Sequence, residues 1–286
     1  MLIGCLKKLL GTQRNAYIWF REESHMDPWH ILLGVVQGIV EWIPVSSKTV
    51  LMLISAYILG YSLSESYSIG LALQGGTIVS AALYFWRTLI SALWNRRLLM
   101  FLIVSTLFTG LVGVPIYILS RKALEEFFNP GIPTIVIGLL LLIQAFLARR
   151  TQTKSLKDIN SINLRDSILF GIVQGLAALP GVSRSGATVT TLLYLGYELS
   201  SALRLSFLAS ILANAGATFA VYLLDRRVFT QTNLGSDALL VFLASAITGF
   251  FAIGFLIDLA RRYRIKMIYG MAIITLILGA VFTLAK

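Results

Sequence analysis

Residues 167–197 read SILFGIVQGLAALPGVSRSGATVTTLLYLGY, an apolar stretch that is interrupted at its centre by proline, glycine and small polar residues. Its two apolar arms, Ser167–Leu179 and Ser185–Tyr197, have 13 residues each. A helix needs about 20 apolar residues to cross the hydrocarbon core of a bilayer, so neither arm is a full span. Pro180 ends the first arm, because proline lacks a backbone N–H and clashes with the preceding turn. The stretch therefore predicts two short helices that meet at an irregular loop.

The rest of the chain has the composition of a membrane protein. Of its 286 residues, 57% are hydrophobic and 13% are charged, whereas soluble domains carry about a quarter charged residues. Mean hydropathy is +0.81. A bilayer admits only helices or closed barrels, and the continuous apolar runs lack the alternation of barrel strands. We therefore expect an all-α polytopic protein, multi-pass in the cell membrane.

The formal net charge of +11 is typical of basic loops that set orientation and meet anionic lipid. No cluster of aromatic and basic residues predicts a nucleic-acid surface, so we expect no nucleic-acid partner. The single cysteine, Cys5, excludes an intramolecular disulfide. Residues 1–27 combine charges with short apolar stretches and contain no signal-peptide cleavage pattern. They are interpreted as a mobile or interfacial N-terminal extension.

Ten apolar segments follow this extension. Six of them are long enough to span a bilayer: Ser66–Trp86, Leu98–Leu119, Ile132–Ala148, Leu205–Leu224, Ala238–Ile257 and Met267–Ala285. The other four are shorter and form two pairs, each broken by a proline with small polar residues: Pro28–Val40 with Thr49–Ser64, and Ser167–Leu179 with Ser185–Tyr197.

The two broken pairs resemble each other, which indicates an internal repeat. The sequence GVVQG at 34–38 matches GIVQG at 171–175, and LGYSLS at 59–64 matches LGYELS at 195–200. Three spans follow each pair, and an odd number of spans inverts the second half. The predicted fold is an inverted repeat, each half being a broken or re-entrant helical hairpin plus three transmembrane helices. Two complete spans per pair, giving ten crossings, would also keep the inversion.

The repeat sets the predicted boundaries of a single membrane domain. The first repeat covers 28–149, a basic loop covers 150–166, and the second repeat covers 167–286. The more basic set of loops is predicted to be cytoplasmic, and it includes Arg149, Arg150, Lys154, Lys157 and Arg165.

The loop Pro180–Gly186 has the composition of an anion site. Gly181 and Gly186 allow close backbone approach, and Ser183 is a predicted cap for a helix that starts near Arg184. A helix N-terminus attracts anions, and a guanidinium grips phosphate bidentately. The alternative is an arginine that anchors a helix end at the membrane interface.

Gln37 and Glu41 lie four residues apart and share a helical face. Beside a phosphate site, this carboxylate and amide are candidate ligands for a divalent metal, Mg²⁺ or Ca²⁺. The alternatives are that Glu41 only ends a helix and that Gln37 bonds its repeat equivalent Gln174 across the halves. Ser46 and Ser47 are candidate helix caps.

Two motifs resemble those of the undecaprenyl-diphosphatase family of the bacitracin-resistance type, over roughly residues 28–285. They are QGIVEWIPVSS at 37–47 and PGVSRSGAT at 180–188. The resemblance implies a metal-dependent hydrolase that removes one phosphate from a polyprenyl pyrophosphate and recycles the lipid carrier of envelope glycan synthesis. It implies two re-entrant hairpins meeting in an inverted repeat, and the membrane and the lipid substrate as partners. A homodimer stays open.

The resemblance also assigns roles to residues. It implies catalytic roles for Glu41, Ser183, Arg184 and Ser185, with metal binding by Glu41 and Gln37. The implied substrate-binding residues are Gln37, Ser46, Ser47, Lys48, Gln174, Gly181, Gly186 and Thr188.

The sequence departs from the family pattern after Ser47. The family usually continues Ser-Ser-Thr-Gly-His, whereas this chain has Lys48, Thr49 and Val50. A catalytic histidine is thereby replaced by Val50, and His30 is a candidate substitute two turns before Gln37. The departure predicts a divergent member, with another polyprenyl carrier, such as an archaeal one, or lost activity as open alternatives.

The rival hypothesis is a transporter or flippase of a polyprenyl-phosphate carrier, because inverted repeats with broken helices are characteristic of transport. A purely structural scaffold ranks last, because it gives no reason for an arginine and a glutamate within the membrane.

Overall fold

The computed structural model describes residues 28–43, 46–57, 59–126, 157–225 and 234–262. Within these ranges the regular structure is helical, apart from one isolated bridge between Lys157 and Tyr197. In chain order the α-helices are α1 (Pro28–Val40), α2 (Ser47–Tyr57), α3 (Leu63–Ala72), α4 (Gly75–Tyr84), α5 (Trp86–Ala92), α6 (Arg96–Glu126), α7 (Leu164–Leu176), α8 (Arg184–Tyr194), α9 (Leu199–Leu224) and α10 (Leu234–Arg262).

Three of the described helices, α6, α9 and α10, are long and apolar enough to cross a membrane. They contain the predicted spans Leu98–Leu119, Leu205–Leu224 and Ala238–Ile257, and these three predictions are confirmed. The chain is thus a helical, multi-pass membrane protein. The predicted spans Ile132–Ala148 and Met267–Ala285 lie outside the described residues.

The predicted span Ser66–Trp86 corresponds to α3, α4 and the start of α5, which together are long and apolar enough for a fourth, broken span. Helix α3 ends at Ala72, α4 begins at Gly75, and α5 is bent by 78° away from the preceding helices. The Thr77 hydroxyl donates to the Gln74 carbonyl across the first break (2.7 Å). Gly76 leaves no room for a Cβ, because the Phe242 carbonyl of α10 lies against it. The interruption lets α4 approach α10 closely.

Both predicted broken pairs are present as short helices. Helix α1 has the predicted bounds, and α2 begins two residues before the predicted Thr49. Helix α7 begins at Leu164 rather than Ser167, because the Asn163 side chain accepts a hydrogen bond from the Asp166 N–H and caps it. Helix α8 begins at Arg184, where Ser183 is the capping residue and accepts from the Gly186 N–H. The predicted cap at Ser183 is therefore confirmed.

The two broken pairs pack in the same way on two long helices. Helix α1 packs on α10, and α7 packs on α6. The contacts use the matched glycines of the repeat, at which an added Cβ would collide with the facing helix: Gly34 and Gly38 with α10, Gly171 and Gly175 with α6. A threonine on each long helix adds a hydrogen bond to these contacts, with Thr248 donating to the Val35 carbonyl (3.4 Å) and Thr109 to the Gly171 carbonyl (3.2 Å).

A polar clamp fixes the start of α7 to the turn before α9. The Tyr197 hydroxyl donates to Asp166 Oδ2 (2.7 Å), and Lys157 Nζ lies 3.2 Å from the same oxygen. Backbone bonds join Lys157 to Gly196 and Glu198. Burial raises the pKa of the Tyr197 phenol, and its hydrogen bond to the Asp166 carboxylate raises the pKa further. The phenol therefore stays protonated and donates this hydrogen bond. The clamp holds α7 and α8 in register with α9.

Candidate active site

The loops of the two broken pairs meet and bond to each other. The Val182 carbonyl accepts from the Ser46 hydroxyl (3.2 Å) and from the Lys48 ammonium. The Gly181 N–H donates to Thr49 Oγ1 (2.8 Å). Gly181 has φ +93°, a left-handed conformation that favours glycine. Contacts between residues more than 130 positions apart in sequence therefore build one site from two motifs.

Glu41 lies at the centre of this site and is 4% exposed. Its Oε1 accepts from Arg184 Nη2 (2.7 Å) and Asn214 Nδ2 (3.0 Å). Its Oε2 accepts from Gln37 Nε2 (2.9 Å) and the Ser47 hydroxyl (2.7 Å). Four donors thus hold both oxygens, which stabilises the ionised carboxylate in a buried position.

Arg184 lies beside Glu41 as the first residue of α8, and its side chain is 10% exposed. Besides the carboxylate, its guanidinium donates to the Ser206 carbonyl (3.2 Å) and lies 6.0 Å from the centre of the Trp42 ring. Ser206 is in turn fixed by a hydrogen bond between its hydroxyl and that of Thr188 (2.7 Å). The guanidinium is held from three sides, which fixes its orientation.

Lys48 is the second cation of the site. It occupies the first turn of α2 and is 3% exposed. Among the described residues, its ammonium bonds only the Val182 carbonyl, and no described carboxylate lies within ion-pair distance of it. The N-termini of α2 and α8 carry Lys48 and Arg184, respectively, so both helix dipoles and both cations favour an anion between them.

A cavity of about 180 Å³ opens from this site. Its polar end is lined by Glu41, Ser47, Lys48, Ser183, Arg184 and Asn214. Its other walls are made mainly of small and apolar residues of α6 and α9, among them Gly110, Gly113, Val114, Ala213, Gly216 and Ala217. An added Cβ at Gly110 or Gly216 would meet no described atom within 4 Å. The cavity lining therefore combines a charged cluster with a wall that is mainly small and apolar and comes largely from two membrane-spanning helices. Polar residues also contribute to this wall: Gln74, Thr106, Thr109, Tyr117 and Gln174.

The predicted site residues fall into two layers. Those that line the cavity are Glu41, Ser47, Lys48, Gln174, Ser183 and Arg184. Those that hold the first group in place without lining it are Gln37, Ser46, Gly181, Ser185, Gly186 and Thr188. The Ser185 hydroxyl, for example, donates to the Ile43 carbonyl (2.9 Å).

Three local alternatives from the sequence are also answered by the contacts. Gln37 and Gln174 do not bond each other: Gln37 donates to Glu41, and Gln174 donates to Thr109 (2.9 Å). Ser47 donates to Glu41 and is not only a cap. His30 is buried on α1 but is not among the residues that line the cavity.

Sequence reasoning missed Asn214 and Thr77. The Asn214 amide donates both to Glu41 and to Thr77 Oγ1 (3.2 Å), and it is 2% exposed. The available signal was a polar amide inside the apolar run Leu205–Leu224, where an amide is costly without a partner. Thr77 gave no such signal, because threonine is common in membrane helices.

The site offers few protein ligands for a divalent metal. Within the described ranges, no group of three or more His, Cys, Asp or Glu could hold a metal ion. Gln37 Oε1 is buried and has no hydrogen-bond partner among the described residues, so one carboxylate and one free amide oxygen are available. This set fits Mg²⁺ or Ca²⁺ only if the ion takes most of its oxygen ligands from substrate phosphate and water, as Mg²⁺ commonly does.

Comparisons with known proteins agree with these features. A model of the family described as bacitracin resistance protein BacA matches residues 30–281. An undecaprenyl-diphosphatase of Sulfurisphaera tokodaii is 41% identical over 246 residues, 83% of this chain and 91% of that protein. Undecaprenyl-diphosphatases of Saccharolobus islandicus and Pyrobaculum aerophilum are each 38% identical, the first over 88% of this chain and 98% of its own length, the second over 83% and 91%.

Proposed function

The chain belongs to the bacitracin resistance protein BacA family, and we propose that it is a membrane phosphatase that hydrolyses undecaprenyl pyrophosphate, or a related polyprenyl pyrophosphate, to the monophosphate. The observation that carries this proposal is the Glu41–Arg184 pair in a cavity whose remaining lining is mainly small and apolar. An isoprenoid pyrophosphate has the same division into a charged head and an apolar tail. The enzyme would thereby recycle a lipid carrier.

In the proposed complex, the pyrophosphate lies between the N-termini of α2 and α8. Arg184 and the free N–H groups of α8 hold the terminal phosphate, and Lys48 adds a second positive charge. Charge that develops on the phosphoryl oxygens is stabilised by these fixed donors, which need little reorganisation during the reaction. The tail extends along the small residues of α6 and α9.

We propose Ser47 as the group that Glu41 activates. Its hydroxyl already donates to Glu41 Oε2 at 2.7 Å and lines the cavity. The hydroxyl oxygen of Ser47, or of a water in its place, attacks the terminal phosphorus and gives its proton to Glu41. The anhydride P–O bond breaks, and the lipid monophosphate leaves. Attack by water frees inorganic phosphate directly, whereas attack by Ser47 leaves a phosphoserine. A water then attacks the phosphorus of this phosphoserine, Glu41 returns its proton to Ser47 Oγ, the Oγ–P bond breaks, and inorganic phosphate is freed. Ser183 and Ser185 support the loop, because one caps α8 and the other bonds Ile43.

We also propose a divalent cofactor, Mg²⁺ or Ca²⁺. Glu41 and Gln37 Oε1 are the protein oxygens that would contribute to holding it, with the pyrophosphate supplying the others. When bound, it would neutralise phosphate charge as a Lewis acid. Arg184 and Lys48 bind and orient the anion independently of it.

The finer architecture is proposed as an inverted repeat, 28–149 and 167–286, with a broken hairpin at the start of each half. Support comes from the reciprocal packing of α1 on α10 and of α7 on α6. Asn214 and Thr77 give further support, because they are 137 residues apart, the offset that relates Gln37 to Gln174. A residue can touch its repeat equivalent only near the axis that relates the halves. The cell membrane as location and a homodimer are parts of the same proposal.

The test is phosphate release by the purified full-length chain in detergent, with a polyprenyl pyrophosphate and either Mg²⁺ or Ca²⁺. We expect release of one phosphate per lipid and loss of release with a chelator. Arg184→Ala should lower the rate by about 100-fold or more, since one preorganised donor to a transition state contributes about that much. Absence of release in wild type, with movement of a polyprenyl phosphate between liposome leaflets, would support the transporter instead.

A further inference from the structure

The charges that line the cavity do not balance. Among the described residues that line it, Glu41, Lys48 and Arg184 are the charged ones. Glu41 and Arg184 neutralise each other at 2.7 Å. Lys48 has no described carboxylate within ion-pair distance. Lys48 is therefore the cationic side chain of the cavity lining that has no ion-pair partner among the described residues.

An uncompensated buried ammonium is costly, because desolvation is not repaid by an opposite charge. Lys48 is 3% exposed. An ammonium has three N–H donors, and the Val182 carbonyl takes one of them. The other two donors have no partner among the described residues and remain available at the cavity wall. A polyanion bound in the cavity would satisfy both.

Arg184 and Lys48 differ in how many of their N–H donors are already used by the protein. Arg184 already donates to Glu41 and to the Ser206 carbonyl. Lys48 is tied to Val182, two residues before Arg184, so the two cations flank the same turn of the loop. A single phosphate needs only the start of α8 and Arg184. A diphosphate extends further and reaches a second positive group.

We propose that Lys48 is a specificity-determining residue that recognises the second phosphate of a pyrophosphate and so distinguishes substrate from monophosphate product. The proposal rests on the proposed function for the identity of the ligand. Each product then binds more weakly than the substrate, because the released phosphate keeps only the contact with Arg184 and the lipid monophosphate keeps only the contact with Lys48, so product release is favoured.

The experiment measures anion binding without turnover. The full-length chain in detergent, with a chelator present, is titrated calorimetrically with methylenediphosphonate, which resists hydrolysis, and with inorganic phosphate. For Lys48→Met we expect the Kd of methylenediphosphonate to rise roughly 10- to 100-fold, which corresponds to the loss of charged hydrogen bonds. The Kd of phosphate should change less than about 3-fold, within the range of a peripheral effect. Lys48→Arg should keep most of the discrimination.

The matched control is Lys122→Met, at an exposed lysine of α6, which should bind both anions like wild type. Thermal unfolding controls for folding: Lys48→Met should be at least as stable as wild type without ligand, since a buried charge is removed. Methylenediphosphonate should raise the Tm of wild type more than that of Lys48→Met.

Two results would overturn the proposal: equal weakening of both anions in Lys48→Met, or unchanged binding of methylenediphosphonate. A different result would overturn only the hydrolase proposal. The wild type would then bind methylenediphosphonate more tightly than inorganic phosphate, in a way that depends on Lys48, and yet release no phosphate from a polyprenyl pyrophosphate.

Discussion

The substitution Glu41→Gln tests whether Glu41 takes part in hydrolysis beyond its contribution to folding stability. The substitution keeps the shape of the side chain and removes its charge. Gln37 can adapt to the new amide, because its Oε1 has no partner among the described residues and would accept from it after a flip. The Ser47 hydroxyl can rotate to accept as well. Most hydrogen bonds around position 41 should therefore survive.

The energetic loss is mainly that of the ion pair with Arg184. At 2.7 Å and an effective dielectric constant of about 20, two unit charges attract by about 6 kcal/mol. The hydrogen bond that the glutamine retains returns part of this. Removal of one partner of a buried pair costs about 3–5 kcal/mol in measured cases, and we expect a destabilisation in that range.

The functional loss should be larger than the folding loss suggests. If Glu41 accepts the proton of the attacking hydroxyl, Glu41→Gln should lower kcat by about 10²- to 10⁴-fold. Its affinity for methylenediphosphonate should rise, because Arg184 and Lys48 then face the anion without an opposing charge. Phosphate release from a polyprenyl pyrophosphate and calorimetric binding measure the two effects.

The double variant Glu41→Gln with Lys48→Met is the control, because it restores the net charge of the cavity. Thermal stability should recover in it, whereas hydrolysis should stay lost. Hydrolysis by Glu41→Gln within about 3-fold of the wild-type rate, at saturating lipid, would refute a role of Glu41 in proton transfer, since such a role contributes at least 10²-fold.

Three further outcomes are expected. Gly110→Leu adds a side chain where the cavity wall has open space. It should raise the KM for a polyprenyl pyrophosphate and leave the Kd of methylenediphosphonate, which has no tail, unchanged. Equal weakening of both ligands would contradict the proposed position of the lipid tail. Asn214→Asp places a second carboxylate beside Glu41 and should tighten Ca²⁺ binding, measured calorimetrically, while it weakens anion binding. Tyr197→Phe should lower the free energy of unfolding by about 1–2 kcal/mol, because its hydrogen bond to Asp166 is lost. Tyr194→Phe, at a residue that is 75% exposed, should leave the free energy of unfolding unchanged. Equal effects of the two substitutions on unfolding would refute the role of the Tyr197–Asp166 clamp.

The site also explains how a charged cluster persists in an apolar protein. The Glu41–Arg184 pair is surrounded by donors from α1, α2 and α9, and it lies against the buried Trp42 ring, which packs edge-on against Phe207 (5.0 Å). Breaking this pair would leave a buried charge, so the two broken helical pairs are held together by the same contact that would bind the substrate. Stability and function are therefore coupled at these two residues.

The chain's residue pattern was sufficient for its class, three of its spans and the sites where its helices break. These features depend on local chemistry: apolar length, the missing N–H of proline, and small polar residues that interrupt a span. The motif residues were also recognisable, because a buried arginine and glutamate are rare within membrane segments. The interruption of Ser66–Trp86 was not recognisable, because it depends on the close approach of α10 to Gly76.

Only the tertiary structure decided which of these side chains line the cavity and which are engaged by other parts of the protein. The sequence motifs present Arg184 as the phosphate-binding residue and Ser183 and Ser185 as catalytic candidates, with Ser46 and Ser47 as substrate-binding residues. In the folded protein Glu41 already engages Arg184, and Ser185 donates to the Ile43 carbonyl without lining the cavity. Ser47, Lys48 and Ser183 do line it. The contacts of Arg184 with Glu41 and of Ser185 with Ile43 join residues more than 140 positions apart, and such long-range pairings are not encoded in any local segment.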